Sequence, residues 1–131
     1  MTEKDRTILV VDDDPDFLEQ ITLQLHTAGY RVISAGGREE AEKLLEDNTP
    51  DLAVVDLMME DMDGGFVLSY HIKRHNPAIP VIMVTAVTSE TGLEFEGGQP
   101  ARSAWIKADA ILAKPVRFEQ LTREITRLLK D

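Results

Sequence analysis

Five side chains in this 131-residue sequence are of chemically active types and stand where short apolar runs stop. Thr7-Ile8-Leu9-Val10-Val11 runs into Asp12 and Asp13, and Leu52-Ala53-Val54-Val55 into Asp56. Pro80-Val81-Ile82-Met83-Val84 stops at Thr85, and Ala110-Ile111-Leu112-Ala113 at Lys114. Three carboxylates crowded together repel one another and favour a hard divalent cation such as Mg²⁺, which takes oxygen ligands. A hydroxyl and an ammonium opposite them are what a bound phosphoryl group needs. The chemistry that follows is nucleophilic. With Mg²⁺ held by Asp13 and Asp56, and by Asp12 through water, Asp56 attacks a phosphoryl donor in line and becomes an acyl phosphate. The metal and Lys114 offset the charge on the transferring group. Thr85 then bonds the phosphoryl oxygen, and its movement, passed to the loop after it, switches an exposed surface.

For these residues to meet, the apolar runs must be strands that end on one edge of a sheet. The run before Asp56 reads as a strand buried on both faces, with the acid where open α/β sheets place ligands. Helical patterns fill the intervals. Asp14-Pro15 opens one, as N-cap and first helical residue, with Phe17, Leu18, Ile21, Leu25 and Ala28 on one side and Gly29 past its end. Residues 30–35 form the second strand. Gly36-Gly37 leads into a helix bearing Ala41, Leu44 and Leu45, and a third helix runs from Gly65 to His75. The last, Arg117 to Lys130, buries Leu121, Ile125, Leu128 and Phe118. Strands alternating with helices predict a parallel sheet covered on both faces. The expected fold is α/β and flavodoxin-like: a doubly wound (βα)5 arrangement with five parallel strands in the order 2-1-3-4-5, in three α/β/α layers. The irregular stretch is 87–107, where Gly92, Gly97-Gly98 and Pro100 interrupt a fourth helix. An extended loop over about 87–99 is expected, then a short helix from Ala101 to Ile106 opened by Pro100. Trp105 in that helix reads as a core anchor, with a partner-facing role as its alternative.

Composition bounds the function. The length suits one domain, 1–131, with its core over about 7–129. A formal charge of −10 repels phosphate backbones and anionic membranes, which argues against nucleic-acid and membrane partners. Cysteine is absent, which removes disulfides, thiol nucleophiles and thiolate metal sites. No apolar run approaches the roughly 20 residues of a membrane span, and the charged start lacks a secretory signal, so a cytoplasmic protein is expected.

The ordered set Ile8-Leu9-Val10-Val11-Asp12-Asp13, Asp56-Leu57-Met58-Met59 with Met62-Asp63-Gly64, Val84-Thr85-Ala86 and Lys114-Pro115 resembles the receiver domain of the two-component response-regulator family, of the stand-alone type. The resemblance spans Thr7 to about Leu129. It implies that Asp56 is the phosphoacceptor and that Lys114 and Thr85 assist it. The Mg²⁺ ligands would be Asp12, Asp13, Asp56 and the backbone carbonyl of Met58, with Mn²⁺ able to substitute. Small Ala86 would leave room for the phosphoryl group. The implied donor is a sensor histidine kinase or a histidine phosphotransfer protein. Such a domain is not a conventional enzyme, although it catalyses its own Mg²⁺-dependent phosphorylation and slow autodephosphorylation. No output domain is expected after Asp131, so the effect is expected through a downstream protein or a phosphorelay, from a monomer or weak dimer.

The sequence departs from the family pattern at three places. Glu60 stands where proline is usual, Ile111 where an aromatic switch residue is common, and the stretch between Thr85 and Lys114 is several residues longer than typical. These departures motivate a competing reading, a receiver-fold binding module with weak or no phosphorylation switching. A third reading takes Asp12-Asp13-Asp14 as the paired aspartates of a haloacid-dehalogenase-type phosphatase, with Asp12 as nucleophile and Asp14 as acid. It leaves Asp56 without a task, and Pro15 fits it poorly. Asp61-Met62-Asp63-Gly64 has the look of a calcium loop, but Met59 occupies its first ligand position and the closing glutamate is missing.

Overall fold

The computed structural model describes residues 6–56, 64–85, 95–96, 99–100, 109–114 and 116–129, with 64–66, 95–96 and 99–100 as backbone alone. Seven strands and four helices follow one another: β1 (Thr7–Val11), α1 (Pro15–Thr27), β2 (Arg31–Ala35), α2 (Arg38–Asp47), β3 (Leu52–Asp56), α3 (Gly64–His75), β4 (Val81–Thr85), β5 (Phe95–Glu96), β6 (Gln99–Pro100), β7 (Ala110–Ala113) and α4 (Phe118–Leu129). Five of the strands make one parallel sheet in the order β2-β1-β3-β4-β7. With β7 as its fifth member, this is the expected 2-1-3-4-5 order.

Alternation along the strands divides the interior. Leu9, Val11, Ala53, Val55 and Val81 pack with Ala41, Leu45, Leu68 and Ile72 of α2 and α3. Ile8, Val10, Leu52, Val54, Ile82, Val84 and Leu112 pack with Ile21 and Leu25 of α1 and Leu121 and Ile125 of α4. Successive strand residues point to opposite faces, so a strand covered on both sides must be apolar at every position. β3 and β4 are buried at all five positions, while β2 at the sheet's edge is not. Of the residues expected beneath α4, Leu121 and Ile125 are fully buried, whereas Phe118 and Leu128 are only partly covered.

Two local features fix the entry and exit of α1. The Asp14 carboxylate accepts the backbone N–H groups of Asp16 (3.1 Å) and Phe17 (3.5 Å), satisfying donors that the first turn leaves unpaired. Gly29 closes the helix at φ 103°, a conformation that side chains with a Cβ resist.

The region after β4 differs from expectation. Phe95–Glu96 and Gln99–Pro100 pair as a small antiparallel ladder separate from the main sheet. Pro100 therefore stands in a strand. A proline on an edge forfeits no bond that the ladder requires. The helix expected over 101–106, with Trp105, lies outside the described residues.

Candidate functional site

Strand register assembles the site. Val11 of β1 pairs with Val55 of β3, so the next residues along, Asp12 and Asp56, emerge side by side from the sheet's C-terminal edge. Both continue an alternation whose earlier members, Ile8 and Val10 in one strand and Leu52 and Val54 in the other, face α1 and α4. The next strand pair places Thr85 opposite Ala113, and the following residue, Lys114, donates its backbone N–H to the Thr85 carbonyl at 2.8 Å. Parallel pairing thus carries four strand ends to one edge without help from any loop.

Carboxylate oxygens of Asp12, Asp13 and Asp56 lie within 4.8 Å of one another. Asp12 is 1% exposed and Asp56 5%, while Asp13 is open to solvent. Both oxygens of Asp12 have partners: Oδ1 accepts the Asp14 backbone N–H at 2.8 Å, and Oδ2 accepts Lys114 Nζ at 3.0 Å. The same ammonium is 3.9 Å from Asp56 Oδ2, so one cation is shared by Asp12 and Asp56 while Asp13 adds a third carboxylate to the cluster. Like charges this close, two of them shielded from water, leave an attractive field for a further cation.

The donors are all oxygen, and Asp13 opens the cluster to solvent, which suits Mg²⁺ or Mn²⁺ and not a soft thiophilic metal. Each oxygen of Asp12 is thus already engaged, one by a backbone N–H and the other by an ammonium. The Met58 carbonyl lies outside the described residues, as do Glu60 and Ala86.

One contributor was not singled out from the sequence. Phe17, read there only as a core residue of α1, presents its ring 4.5 Å from Lys114 Nζ. An aromatic face attracts an ammonium, so Phe17 helps to hold Lys114 between Asp12 and Asp56. Its position three residues after the Asp14 cap was the available signal, because the first turn of α1 starts beside the Asp12 strand end. The cap gives Asp14 a structural task at the start of α1 that the phosphatase reading does not need.

The comparisons with known proteins agree with this geometry. The response regulator receiver domain family matches residues 8–126. A probable transcriptional regulatory protein, TcrX of Mycobacterium tuberculosis, is 30% identical over 95% of this chain and 50% of its own length. A response regulator receiver domain protein (CheY-like) from Methanospirillum hungatei superposes with a TM-score of 0.81 at 29% identity, covering 96% of this chain and 94% of that one. Response regulator TrrA from Thermotoga maritima, solved in complex with Mg²⁺-BeF, gives 0.76 at 27% identity over 94% and 98%. The chain spans half or less of the length of the first curated relatives it matches. From the strand-end site, the sheet order and the match over nearly the whole chain, the protein belongs to the response regulator receiver domain family.

Proposed function

We propose that Asp56 accepts a phosphoryl group from a phosphohistidine on a histidine kinase or histidine phosphotransfer protein, and that the acyl phosphate alters a protein-interaction surface. One observation carries this reading: a 5% exposed carboxylate at the end of a buried strand has two more carboxylates within 4.8 Å and an ammonium at 3.9 Å. An Asp56 oxygen attacks phosphorus as the bond from phosphorus to the donor imidazole nitrogen breaks. The nitrogen keeps the bonding electrons and takes up a proton. Lys114 faces the developing charge, and its bond to Asp12 orients it. Asp12, Asp13 and Asp56, with the Met58 carbonyl, would hold Mg²⁺, whose contribution when bound is to neutralise phosphoryl oxygens. Thr85, buried at the end of β4, would meet the phosphoryl oxygen and pass the change on.

A donor surface is supported by a groove of about 470 Å³ along α1, lined by Pro15, Leu18, Thr22 and Leu23, with Leu23 65% exposed. It begins one residue after the Asp14 cap, beside the acidic edge. Among the described residues no helix is long and apolar enough to cross a membrane, and the charge of −10 favours protein over nucleic-acid partners. Matching over 8–126 supports treating 1–131 as one receiver domain.

The test is incubation with acetyl phosphate and Mg²⁺, followed by intact-mass measurement. A gain of one phosphoryl group in the wild type, lost in Asp56→Asn, is expected. Absence of any gain with acetyl phosphate or a phosphohistidine donor would sink the proposal in favour of the binding-module reading. Ile111 in β7 and the added β5–β6 ladder are the observations that favour that alternative. Hydrogen exchange with and without a phosphoryl mimic separates switching from mere phosphorylation: no change over 87–107 would mean that this stretch does not read the phosphate out.

A further inference from the structure

Away from the strand-end site, ligating side chains from two helices meet once more among the described residues. α2 and α3 lie side by side on one face of the sheet and run in the same direction, because each follows a strand of the same parallel set. Their relative register is read from His71 Nε2, which lies 3.6 Å from Glu42 Oε2. Between helices that run the same way, one turn along both preserves the pairing, so Glu46 comes opposite His75. These four side chains, with Leu45 as an apolar floor, line a single recess of about 250 Å³. His71, His75 and Glu46 are exposed and Glu42 is half-buried. Arg38 Nη1 also bonds Glu42 Oε2, at 3.2 Å, which fixes that carboxylate.

We propose that this recess is a second metal site, taking a borderline first-row cation, Zn²⁺ foremost, on His71 and His75 of α3 and Glu42 and Glu46 of α2. Two histidines four residues apart on one helix face have the spacing that lets both imidazoles reach one ion. Imidazole selects zinc, nickel and copper and is a poor ligand for Mg²⁺, so this site and the carboxylate cluster sort metals by ligand type. Among the described residues, Asp12, Asp13 and Asp56 alone already gather three ligand atoms within 4.8 Å. The helix site closes instead by rotation of its exposed rings, with Arg38 serving as a positioning residue for Glu42. A bound ion would clip α2 to α3, the helix that follows the Asp56 strand.

The chain has three histidines, and the third, His26, lies on α1 and serves as an internal control. Zn²⁺ is titrated calorimetrically into the full chain in saturating Mg²⁺, which occupies the carboxylate cluster, while imidazole resonances are followed by NMR. One Zn²⁺ per chain is expected, with shifts at His71 and His75 and none at His26. His71→Ala and His75→Ala should each weaken binding at least about tenfold, and His26→Gln should leave it unchanged. The proposal is overturned if Zn²⁺ does not bind in the presence of Mg²⁺. It is equally overturned if the double His71→Ala, His75→Ala chain binds as tightly as the wild type. Neither result bears on phosphorylation of Asp56, which the mass measurement reads separately.

Discussion

The two edges of the main sheet both carry aspartates, and they use them in opposite ways. At the N-terminal edge each carboxylate ties a strand start to its own cation. Asp51 accepts the Thr7 N–H at 2.8 Å and lies 3.9 Å from Arg6 Nη1. Asp109 accepts the Val81 N–H and the Lys73 ammonium, both at 2.8 Å. These are stitches: donor and acceptor are matched and the charges balance. At the C-terminal edge Asp12 and Asp56 share Lys114, and Asp13 clusters with them. An excess of negative charge in a half-dry place is costly in the unliganded protein and useful once a cation and a phosphoryl group arrive. The difference teaches that what sets a candidate reactive aspartate apart from a structural one is charge imbalance and convergence, not its type or its burial alone.

The comparison can be broken most severely through the two lysines. Lys114→Met should slow phosphoryl incorporation from acetyl phosphate by about 100-fold or more, the scale of a lost transition-state charge partner. The same change at Lys73 should leave that rate unaltered. Equal effects at the two positions would mean the edges are not functionally distinct. Next in size is Asp109→Ala, which removes one acceptor from both the Val81 N–H and Lys73. It should cost about 2–3 kcal/mol in urea unfolding while phosphorylation survives.

Asp56→Asn should do the reverse. In metal-free buffer, removing one of three clustered charges is expected to raise stability by about 1 kcal/mol. It should also abolish the rise in thermal midpoint expected when Mg²⁺ is added to the wild type, because a ligand that binds the folded state alone stabilises it. A less stable Asp56→Asn protein would show that the cluster is not frustrated. The smallest effect is expected at Phe17→Leu, where loss of the ring beneath Lys114 should cost about 0.5–1 kcal/mol in urea unfolding. An unchanged midpoint there would remove Phe17 from the site.

Much of this was legible from residue order. β1, β3 and β4 announce themselves as apolar runs because burial on both faces leaves no place for a polar residue. Their ends are marked by the acids and the threonine that are the candidate site residues. Asp14-Pro15 and Gly29 mark the limits of α1 through cap chemistry that acts over a few residues. The β5–β6 ladder was harder to see: two-residue strands carry no periodicity, and Gly97-Gly98 reads equally as loop or hairpin. Phe17 was legible as apolar but not as a partner of Lys114, because the two are almost a hundred positions apart in the chain and meet only through the sheet.

What the sequence by itself determined is therefore local and periodic: strand and helix identity, the capped start of α1, the five candidate residues and the family to which their order belongs. Tertiary structure decided everything that depends on distance between separate elements. It set Asp12 beside Asp56 by strand register, gave Lys114 to Asp12 at 3.0 Å and left it at 3.9 Å from Asp56, and laid Glu42 against His71. The physical reason is one of range. Propensity, capping and alternation act within a few residues, whereas Coulomb energy and metal coordination depend on spatial separations that only the packed sheet and its helices define.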